Sequence, residues 1–138
     1  MISRVLVDTG PLVAILSKRD QYHEMCIKVL QQVEAPLFTC WPVVTEALWL
    51  LRANPAAIHS LLTKFDGSRF ALLPMDENAL PWIARFMRRY HNVEAQLADA
   101  SLMYLAEQQN FETIFTFDRR DFSVYRFRGN RSVRLIPD

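Results

Sequence analysis

The sequence predicts an α/β fold in which a small parallel β-sheet is flanked by helices on both faces. Short apolar segments alternate along the chain with longer segments of helical periodicity, which is typical of parallel strands joined by crossover helices. The first strand candidate, Val5-Leu6-Val7, is apolar at every position, as expected of a strand that is buried on both faces. Because the strand candidates are short, we expect a small sheet.

Five segments combine β-favouring residues with turn signals at their ends and are predicted to be strands. They cover residues 5–7, 37–39, 70–73, 113–117 and 133–136. The last of them is expected at an edge of the sheet.

Six segments are predicted to be helices from their apolar periodicity and from residues that favour helix starts. They cover residues 10–16, 21–33, 43–51, 55–65, 77–90 and 93–109. The candidate N-caps are Thr9, Asp20, Asn54 and Asp76. Pro81 must either kink the fifth helix or delay its start.

The length and composition predict one domain that spans residues 1–138. Of these residues 51% are hydrophobic and 22% are charged, which is enough apolar material for a core. We find no apolar run long enough for a membrane span and no signal peptide before the first strand, so we expect a cytoplasmic protein that does not enter a membrane. Cys26 and Cys40 are then expected to be reduced and buried.

Arginines are concentrated toward the end of the chain, although the formal net charge is only +1. Residues 119–134 contain six arginines and a single acid, Asp121. The six are Arg119, Arg120, Arg126, Arg128, Arg131 and Arg134, and a smaller cluster consists of Arg85, Arg88 and Arg89. Arginine suits phosphate groups, but a solvated surface or an interface with an acidic protein explains the clusters equally well.

Residues 122–131 interleave aromatic side chains with these arginines. Such a loop can stack on and clamp a single strand of nucleic acid. The alternative is that aromatic residues such as Tyr125 and Phe127 simply pack beneath the sheet.

Two aspartates directly follow strand candidates. Asp8 ends the first strand and Asp118 ends the segment 113–117, so both are expected at the carboxyl edge of the sheet, where ligands bind in open α/β folds. Thr116 points to the same side as Asp118. Taken singly, Asp8, Asp118 and the nearby Asp121 are explained as well by the capping of a turn.

Two further acids lie within apolar stretches of predicted helices. Glu46 has Val43 and Trp49 as helical neighbours, and Asp99 has Leu102. An unpaired carboxylate on an apolar face costs several kcal/mol, so it requires protonation, a cationic partner or a metal ion. For either residue alone, a structural ion pair or a protonated acid explains the position.

The four acids come from four separate segments and have one economical explanation, which is that they converge on divalent cations. Carboxylates without a histidine or cysteine cluster select Mg²⁺ or Mn²⁺ over zinc. Such ions activate water and neutralise the charge that develops on a phosphoryl group during in-line displacement. The sequence therefore predicts metal-assisted displacement at phosphorus.

In order, spacing and total length, these segments resemble the PIN domains that form the toxin half of VapBC-type toxin–antitoxin pairs. The resemblance covers nearly the whole chain. The segments that carry it are Val5-Leu6-Val7-Asp8-Thr9, Val44-Thr45-Glu46-Ala47-Leu48, Leu97-Ala98-Asp99-Ala100-Ser101-Leu102 and Thr116-Phe117-Asp118-Arg119-Arg120-Asp121-Phe122.

The resemblance implies a Mg²⁺-dependent endoribonuclease, with Mn²⁺ as a substitute, that hydrolyses RNA phosphodiester bonds. The implied catalytic and metal-binding acids are Asp8, Glu46, Asp99 and Asp118. Asp121 is a further candidate ligand, because members of the family place the last acid at either position. Thr9 and Thr116 would line the site. The candidate RNA contacts are Arg119, Arg120, Arg126 and Arg128.

The resemblance also implies two protein partners. One is a cognate VapB-like antitoxin, whose C-terminal segment would cover the acidic cleft. The other is a second copy of the chain, and the candidate contacts of this homodimer are Trp49, Trp82 and Phe86, which could instead belong to the core.

Other functions are less consistent with the sequence. A phosphohydrolase with an aspartyl nucleophile needs a second aspartate two residues after the first, where this chain has Gly10. A non-catalytic RNA- or protein-binding module of the same fold is expected to have lost one or more of the four acids. A DNA-directed nuclease usually carries long insertions, and this chain has little room for them.

Overall fold

The computed structural model describes residues 1–93 and 95–138 and shows one five-stranded parallel sheet, which confirms the predicted fold class. The strands are β1 (Val5–Val7), β2 (Leu37–Thr39), β3 (Phe70–Leu72), β4 (Thr113–Phe115) and β5 (Arg134–Ile136). They lie in the order β3-β2-β1-β4-β5, and each neighbouring pair is parallel. β5 is an edge strand, as predicted.

Helices fill the connections between the strands. The α-helices are α1 (Thr9–Leu16), α2 (His23–Leu30), α3 (Trp41–Leu50), α4 (Pro55–Thr63), α5 (Leu80–Arg89), α6 (Leu97–Gln109) and α7 (Arg119–Phe122). Short 3₁₀ turns cover Glu77–Ala79, His91–Val93 and Arg128–Asn130. Within the described residues, no helix is long and apolar enough to cross a membrane.

The burial of the central strand, β1, explains why polar and apolar residues do not alternate in its sequence. Val5, Leu6 and Val7 are all 0% exposed. Because successive side chains of a strand point to opposite faces, both faces of the sheet must be covered at β1.

The candidate N-caps are correct at two positions and wrong at two. Asn54 accepts from the backbone N–H of Ala57 at 3.1 Å, and Asp76 caps the turn before α5. Asp20 instead closes a turn before α2, and Thr9 is the first residue of α1, whose N-cap is Asp8. The hydroxyl of Thr9 is thereby free to contact another helix.

Helix boundaries differ from the prediction where local conformation interrupts the apolar period. α6 begins at Leu97 and not at Val93, because Gln96 is extended, with φ −93° and ψ 165°. Glu94, which the predicted helix included, lies outside the described residues. Pro81 occupies the first turn of α5, so of the two predicted alternatives the delayed helix start is correct.

Both cysteines are buried and free, as predicted. Burial raises the pKa of Cys26 and that of Cys40 to about 12, so both thiols stay protonated at neutral pH.

The order of the strands determines where a ligand site can form. The connection from β1 leads to β2 on one side, whereas β4 lies on the other side of β1. The carboxyl ends of two such strands border the crevice in which open α/β sheets bind their ligands.

Candidate functional site

The carboxyl ends of β1 and β4 lie side by side and carry two of the predicted acids. The backbone N–H of Asp8 donates to the carbonyl of Phe115 at 2.9 Å, which extends the pairing of the strands by one residue. Thr116 links the two acids, because its hydroxyl donates to Oδ2 of Asp8 at 2.8 Å and accepts from the backbone N–H of Asp118 at 2.9 Å. Thr116 therefore couples the positions of the two strand ends.

Asp118 brings a third acid to this edge. Its Oδ1 accepts from the backbone N–H of Asp121 at 3.1 Å and caps α7, which is one turn of four residues. One carboxylate oxygen from each of Asp99, Asp118 and Asp121 lies within 4.8 Å of the other two, close enough for one cation to contact all three. We call these three residues the acidic cluster.

Glu46 reaches the same edge from α3, but its surroundings are not those predicted. The hydroxyl of Thr9 donates to Oε2 of Glu46 at 3.0 Å, which holds Glu46 beside the end of β1. Glu46 is exposed, and its neighbours Trp49 and Leu50 are 65% and 57% exposed. The expectation that Glu46 lies on a packed apolar face is therefore wrong on the side of Trp49 and Leu50, although its other helical neighbour, Val43, is buried.

Asp99 projects from the first turn of α6 and is half-buried. Burial raises the pKa of Asp99 to about 7, and the negative charges of Asp8, Asp118 and Glu46 act in the same direction. The hydroxyl of Tyr125 opposes this shift by donating to Oδ2 of Asp99 at 2.7 Å.

Asp8 is only 9% exposed. Its burial raises the pKa of its carboxyl group, as do the charges of Glu46 and Asp118, while the hydrogen bond from Thr116 acts against the shift. The charged form of Asp8 is thus disfavoured by its own protein environment.

In the described part of the chain, no lysine or arginine forms an ion pair with Asp8, Glu46, Asp99 or Asp118. A divalent cation would compensate both the burial and the mutual repulsion of these acids. The donor atoms are carboxylate oxygens, which suit Mg²⁺ or Mn²⁺, and the nearby thiol of Cys40 stays protonated. The residues present therefore fit a hard divalent metal ion.

A sequence model of the PIN domain matches residues 5–128 of this chain. The chain belongs to the PIN domain family. The matched range includes the strand ends, the acidic cluster and Glu46.

Known proteins similar to this PIN domain are described as nucleases and toxins. Ribonuclease VapC26 of Mycobacterium tuberculosis is 26% identical over 135 residues, which are 96% of this chain and 100% of that protein. Three solved structures share the fold. VapC20 of M. tuberculosis, a sarcin–ricin loop cleaving toxin, has a TM-score of 0.65 and 19% identity over 83% of this chain and 90% of its own.

The other two structures are toxin–antitoxin assemblies. A toxin–antitoxin complex from Klebsiella pneumoniae has a TM-score of 0.68 and 15% identity over 87% of this chain and 91% of its own. VapBC2 from Rickettsia felis, bound to a DNA fragment from its promoter, has a TM-score of 0.62 and 14% identity over 98% of this chain and 97% of its own. At these identities the likeness establishes the fold alone.

Sequence reasoning did not identify Tyr125 as part of the PIN-domain site. Its ring is fully buried and packs edge-on against Phe86, Tyr90 and Phe122. A buried tyrosine hydroxyl usually has a hydrogen-bond partner, but no sequence pattern links residue 125 to Asp99.

The aromatic residues of the segment 122–131 pack into the core. Phe122 and Tyr125 are 0% exposed and Phe127 is 8% exposed. The alternative in which these rings stack on nucleic acid is wrong, because their faces are already covered by protein.

The predicted RNA-contacting arginines differ in how their guanidinium groups are used. Arg119 donates through Nη1 to the carbonyl of Pro137 at 2.7 Å, and Arg126 donates through Nη1 to the carbonyl of Ser123 at 2.7 Å. Arg120 and Arg128 are exposed. Arg119 and Arg126 therefore stabilise chain segments, whereas Arg120 and Arg128 present charge to solvent.

In metal-free buffer, we expect Asp99→Asn to be more stable than the parent protein at about pH 7.5, with a difference that shrinks toward about pH 5. The pKa of Asp99 is about 7 when folded and 3.8 ordinarily, so the folded state binds the proton more tightly. The contribution of Asp99 to the free energy of unfolding is greatest below the pKa that this group has in the unfolded chain. It is lost as the pH rises through the pKa of the folded state. The difference at neutral pH should be on the order of a few kcal/mol in the free energy of unfolding, measured by chemical denaturation.

Asp138→Asn provides the control, because this carboxylate is exposed and pairs only loosely with Arg134, at 3.8 Å. It should leave the pH dependence of the free energy of unfolding unchanged. A stability difference between Asp99→Asn and the parent that stays constant with pH would contradict the raised pKa of Asp99.

Proposed function

We propose that this protein is a divalent-metal-dependent endoribonuclease and the toxin of a type II toxin–antitoxin pair. Residues 1–138 act as one nuclease domain in the cytoplasm. The observation that carries the proposal is the acidic cluster beside Asp8 and Glu46 at the carboxyl edge of a PIN-domain sheet. A protein named Ribonuclease VapC26 aligns with 96% of the chain at 26% identity, which supports RNA as the substrate.

The metal ligands in this proposal are Asp8, Asp99 and Asp118, with Glu46 completing the site and Asp121 as a further ligand. When bound, Mg²⁺ or Mn²⁺ supplies positive charge that activates water and stabilises the phosphoryl oxygens as their negative charge increases. The carboxylates would hold the ion at the crevice, and its positive charge would compensate the repulsion between them.

The protein's own groups keep these carboxylates in place. The Thr116 hydroxyl fixes Oδ2 of Asp8, and the Tyr125 hydroxyl fixes Oδ2 of Asp99. Such outer hydrogen bonds orient the ligating carboxylates before the substrate arrives, which lowers the cost of reorganisation during the reaction.

In this proposal Glu46 completes the site, orients the attacking water and accepts a proton from it. Its Oε2 is held by Thr9, whereas Oε1 makes no hydrogen bond to a described residue. Because Glu46 is exposed, water and the RNA backbone can reach it from solvent. The water oxygen forms a bond to phosphorus as the bond from phosphorus to the 3′ oxygen breaks. The departing 3′ oxygen takes up a proton from solvent, and the proton on Glu46 returns to solvent, which leaves a 5′-phosphate and a 3′-hydroxyl.

The antitoxin in this proposal is a VapB-like protein, in keeping with the toxin–antitoxin assemblies that share the fold. Its inhibitory segment needs a basic side chain near the crevice, since the described residues supply no cationic partner for Asp8 or Asp99. Binding there would exclude the metal, the RNA or both.

A second copy of the chain is the other proposed partner. Of the three candidate contacts in the sequence, Phe86 is buried and Trp82 half-buried, whereas Trp49 is 65% exposed. Trp41 and Leu50 are exposed on the same helix at 61% and 57%. Exposed apolar groups of this size are typical of protein interfaces, so we place the dimer contact on α3.

With Mg²⁺ or Mn²⁺, the parent protein should cleave labelled single-stranded RNA, and a chelator should abolish the cleavage. Asp99→Asn should reduce the rate by more than about 100-fold, because it removes a ligand and not merely an outer hydrogen bond. The same metals should raise the melting temperature of the parent protein. A free metal concentration of 100 times the dissociation constant adds about 2.7 kcal/mol to the free energy of unfolding.

Asp138→Asn is again the matched control and should retain both activity and metal-induced stabilisation. Single-stranded DNA of the same sequence separates the ribonuclease from a DNA-directed nuclease. Metal binding without cleavage of any RNA would favour the non-catalytic alternative. Normal cleavage by folded Asp99→Asn would refute the assignment of the site.

Tyr125→Phe should weaken metal binding or slow cleavage by about 10- to 100-fold, because Asp99 loses the donor that orients it. The measurement is the metal concentration that gives half-maximal cleavage. Tyr104→Phe is the control, since Tyr104 lies on the same helix as Asp99 and its hydroxyl bonds to no described residue. An unchanged metal requirement together with an unchanged rate of cleavage in Tyr125→Phe would show that the hydroxyl serves stability alone.

Replacing Trp49 by glutamate should shift the protein from dimer to monomer in light scattering at micromolar concentration. Truncating a central aromatic residue costs about 2 kcal/mol or more in such interfaces. Leu62→Glu, at an exposed apolar residue of α4, should leave the dimer intact. A parent protein that is already monomeric would exclude the dimer.

A further inference from the structure

A basic pocket of about 380 Å³ lies between α5, the end of α6 and the segment 126–130. This volume is within the range of about 300–1,000 Å³ that is usual for ligand sites. The pocket does not include any residue of the acidic cluster.

Four arginines line this pocket. Arg85 and Arg89 are one helical turn apart on α5, and Arg126 and Arg128 face them from the loop. Within the described residues none of the four forms an ion pair, whereas Arg131 is paired with Glu112 at 3.7 Å. The charges of Arg85, Arg89 and Arg128 are therefore available to an anionic ligand, whereas Nη1 of Arg126 already donates to the carbonyls of Ser123 and Tyr125.

The pocket contains one acid, Glu107, and both of its oxygens are engaged. Oε2 accepts from Nε1 of Trp82 at 2.6 Å, and Oε1 accepts from the backbone N–H of Arg128 at 2.8 Å. Glu107 thus joins α5, α6 and the loop into one wall. Four arginines against this one carboxylate leave the pocket positively charged.

An aromatic surface accompanies the positive charge. Trp82 stacks on Phe86 with ring centroids 5.3 Å apart and 13° between the ring planes, and both residues line the pocket. Trp82 is only half-buried, so part of the indole remains accessible. Aromatic groups beside arginines are the combination that binds a base and its phosphate in single-stranded nucleic acids.

The pocket is connected to the acidic cluster by one short stretch of chain. Tyr125 contacts Asp99 through its hydroxyl, and the next residue, Arg126, lines the pocket. Along α6, Asp99 and Glu107 are eight residues apart, or about 12 Å of helix axis. About three or four stacked nucleotides, at about 3.4 Å each, cover this distance.

We propose that this pocket binds a phosphate and an adjacent base of the single-stranded RNA substrate, a few nucleotides from the bond that is cleaved. The proposal rests on the proposed ribonuclease function. It assigns Arg85, Arg89 and Trp82 to substrate binding, in addition to Arg126 and Arg128. Because the pocket lies away from the acids, it contributes to affinity and to the choice of cleavage site but not to the chemical step.

The test measures binding of a labelled 12-nucleotide RNA to Arg85→Gln/Arg89→Gln over a range of salt concentrations. We expect about tenfold weaker binding and a slope of log K against log salt that is smaller by about 0.7 for each phosphate that the protein no longer neutralises. In cleavage assays KM should rise about tenfold, while kcat should stay within about twofold of the parent value.

Arg88→Gln/Arg134→Gln is the matched control, with the same reduction in positive charge. Arg88 lies on α5 between the two pocket arginines but does not line the pocket, and Arg134 pairs with Asp138. Binding should change by less than about twofold in this control. Thermal melting establishes that both double variants are folded.

The outcomes separate this inference from the proposed function. Cleavage by the parent protein tests the nuclease, and the comparison of the two double variants tests the pocket. Equally weakened RNA binding in both variants, or unchanged binding in both, would overturn the pocket assignment while leaving the nuclease intact. Unchanged RNA binding together with weaker antitoxin binding would identify a protein-docking surface and would also overturn it. A parent protein that neither binds nor cuts RNA would overturn both.

Discussion

The adjacency of the carboxyl ends of β1 and β4 is the constraint on which the rest of the site depends. It is maintained by the hydrogen bond from Asp8 to the carbonyl of Phe115 and by the hydroxyl of Thr116, which contacts both strand ends. Because two strands deliver Asp8 and Asp118 to one point, the remaining acids need only approach that point from helices. The sheet sets the position, and α3, α6 and α7 contribute the remaining acids, Glu46, Asp99 and Asp121.

Bringing these carboxylates together is electrostatically unfavourable, and the protein reduces this cost only in part. The pKa of Asp8 and that of Asp99 are raised by burial and by the neighbouring acids. Each has one hydroxyl donor, from Thr116 and Tyr125 respectively, that favours its charged form. Neutral donors such as these cannot balance several negative charges, so the charged forms of Asp8 and Asp99 remain disfavoured in the folded protein.

The positions in the site that follow from the backbone could be predicted from sequence, whereas those that follow from side-chain contacts could not. A buried strand that stops at a carboxylate places Asp8 at the sheet edge whatever surrounds it. The exposure of Glu46 was not predicted, because periodicity cannot distinguish apolar residues that pack, such as Val43, from those that remain in solvent, such as Trp49. Tyr125 was missed because its contact with Asp99 spans 26 residues of sequence. α6 begins four residues later than predicted because the backbone of Gln96 is extended, and the spacing of apolar residues does not indicate this conformation.

Asp118 and Asp121 do not have equivalent positions, although both belong to the acidic cluster. Oδ1 of Asp118 holds the backbone N–H of Asp121, so Asp118 organises the single turn from which Asp121 projects. Removing the Asp118 carboxylate would displace Asp121 as well, whereas removing that of Asp121 leaves this hydrogen bond in place because it uses the backbone. A greater effect of substitution at Asp118 would therefore combine the removal of a ligand with the disruption of a turn. Of the two acids of this turn, it is therefore Asp121 whose carboxylate can be removed while the hydrogen bond that organises the turn is kept.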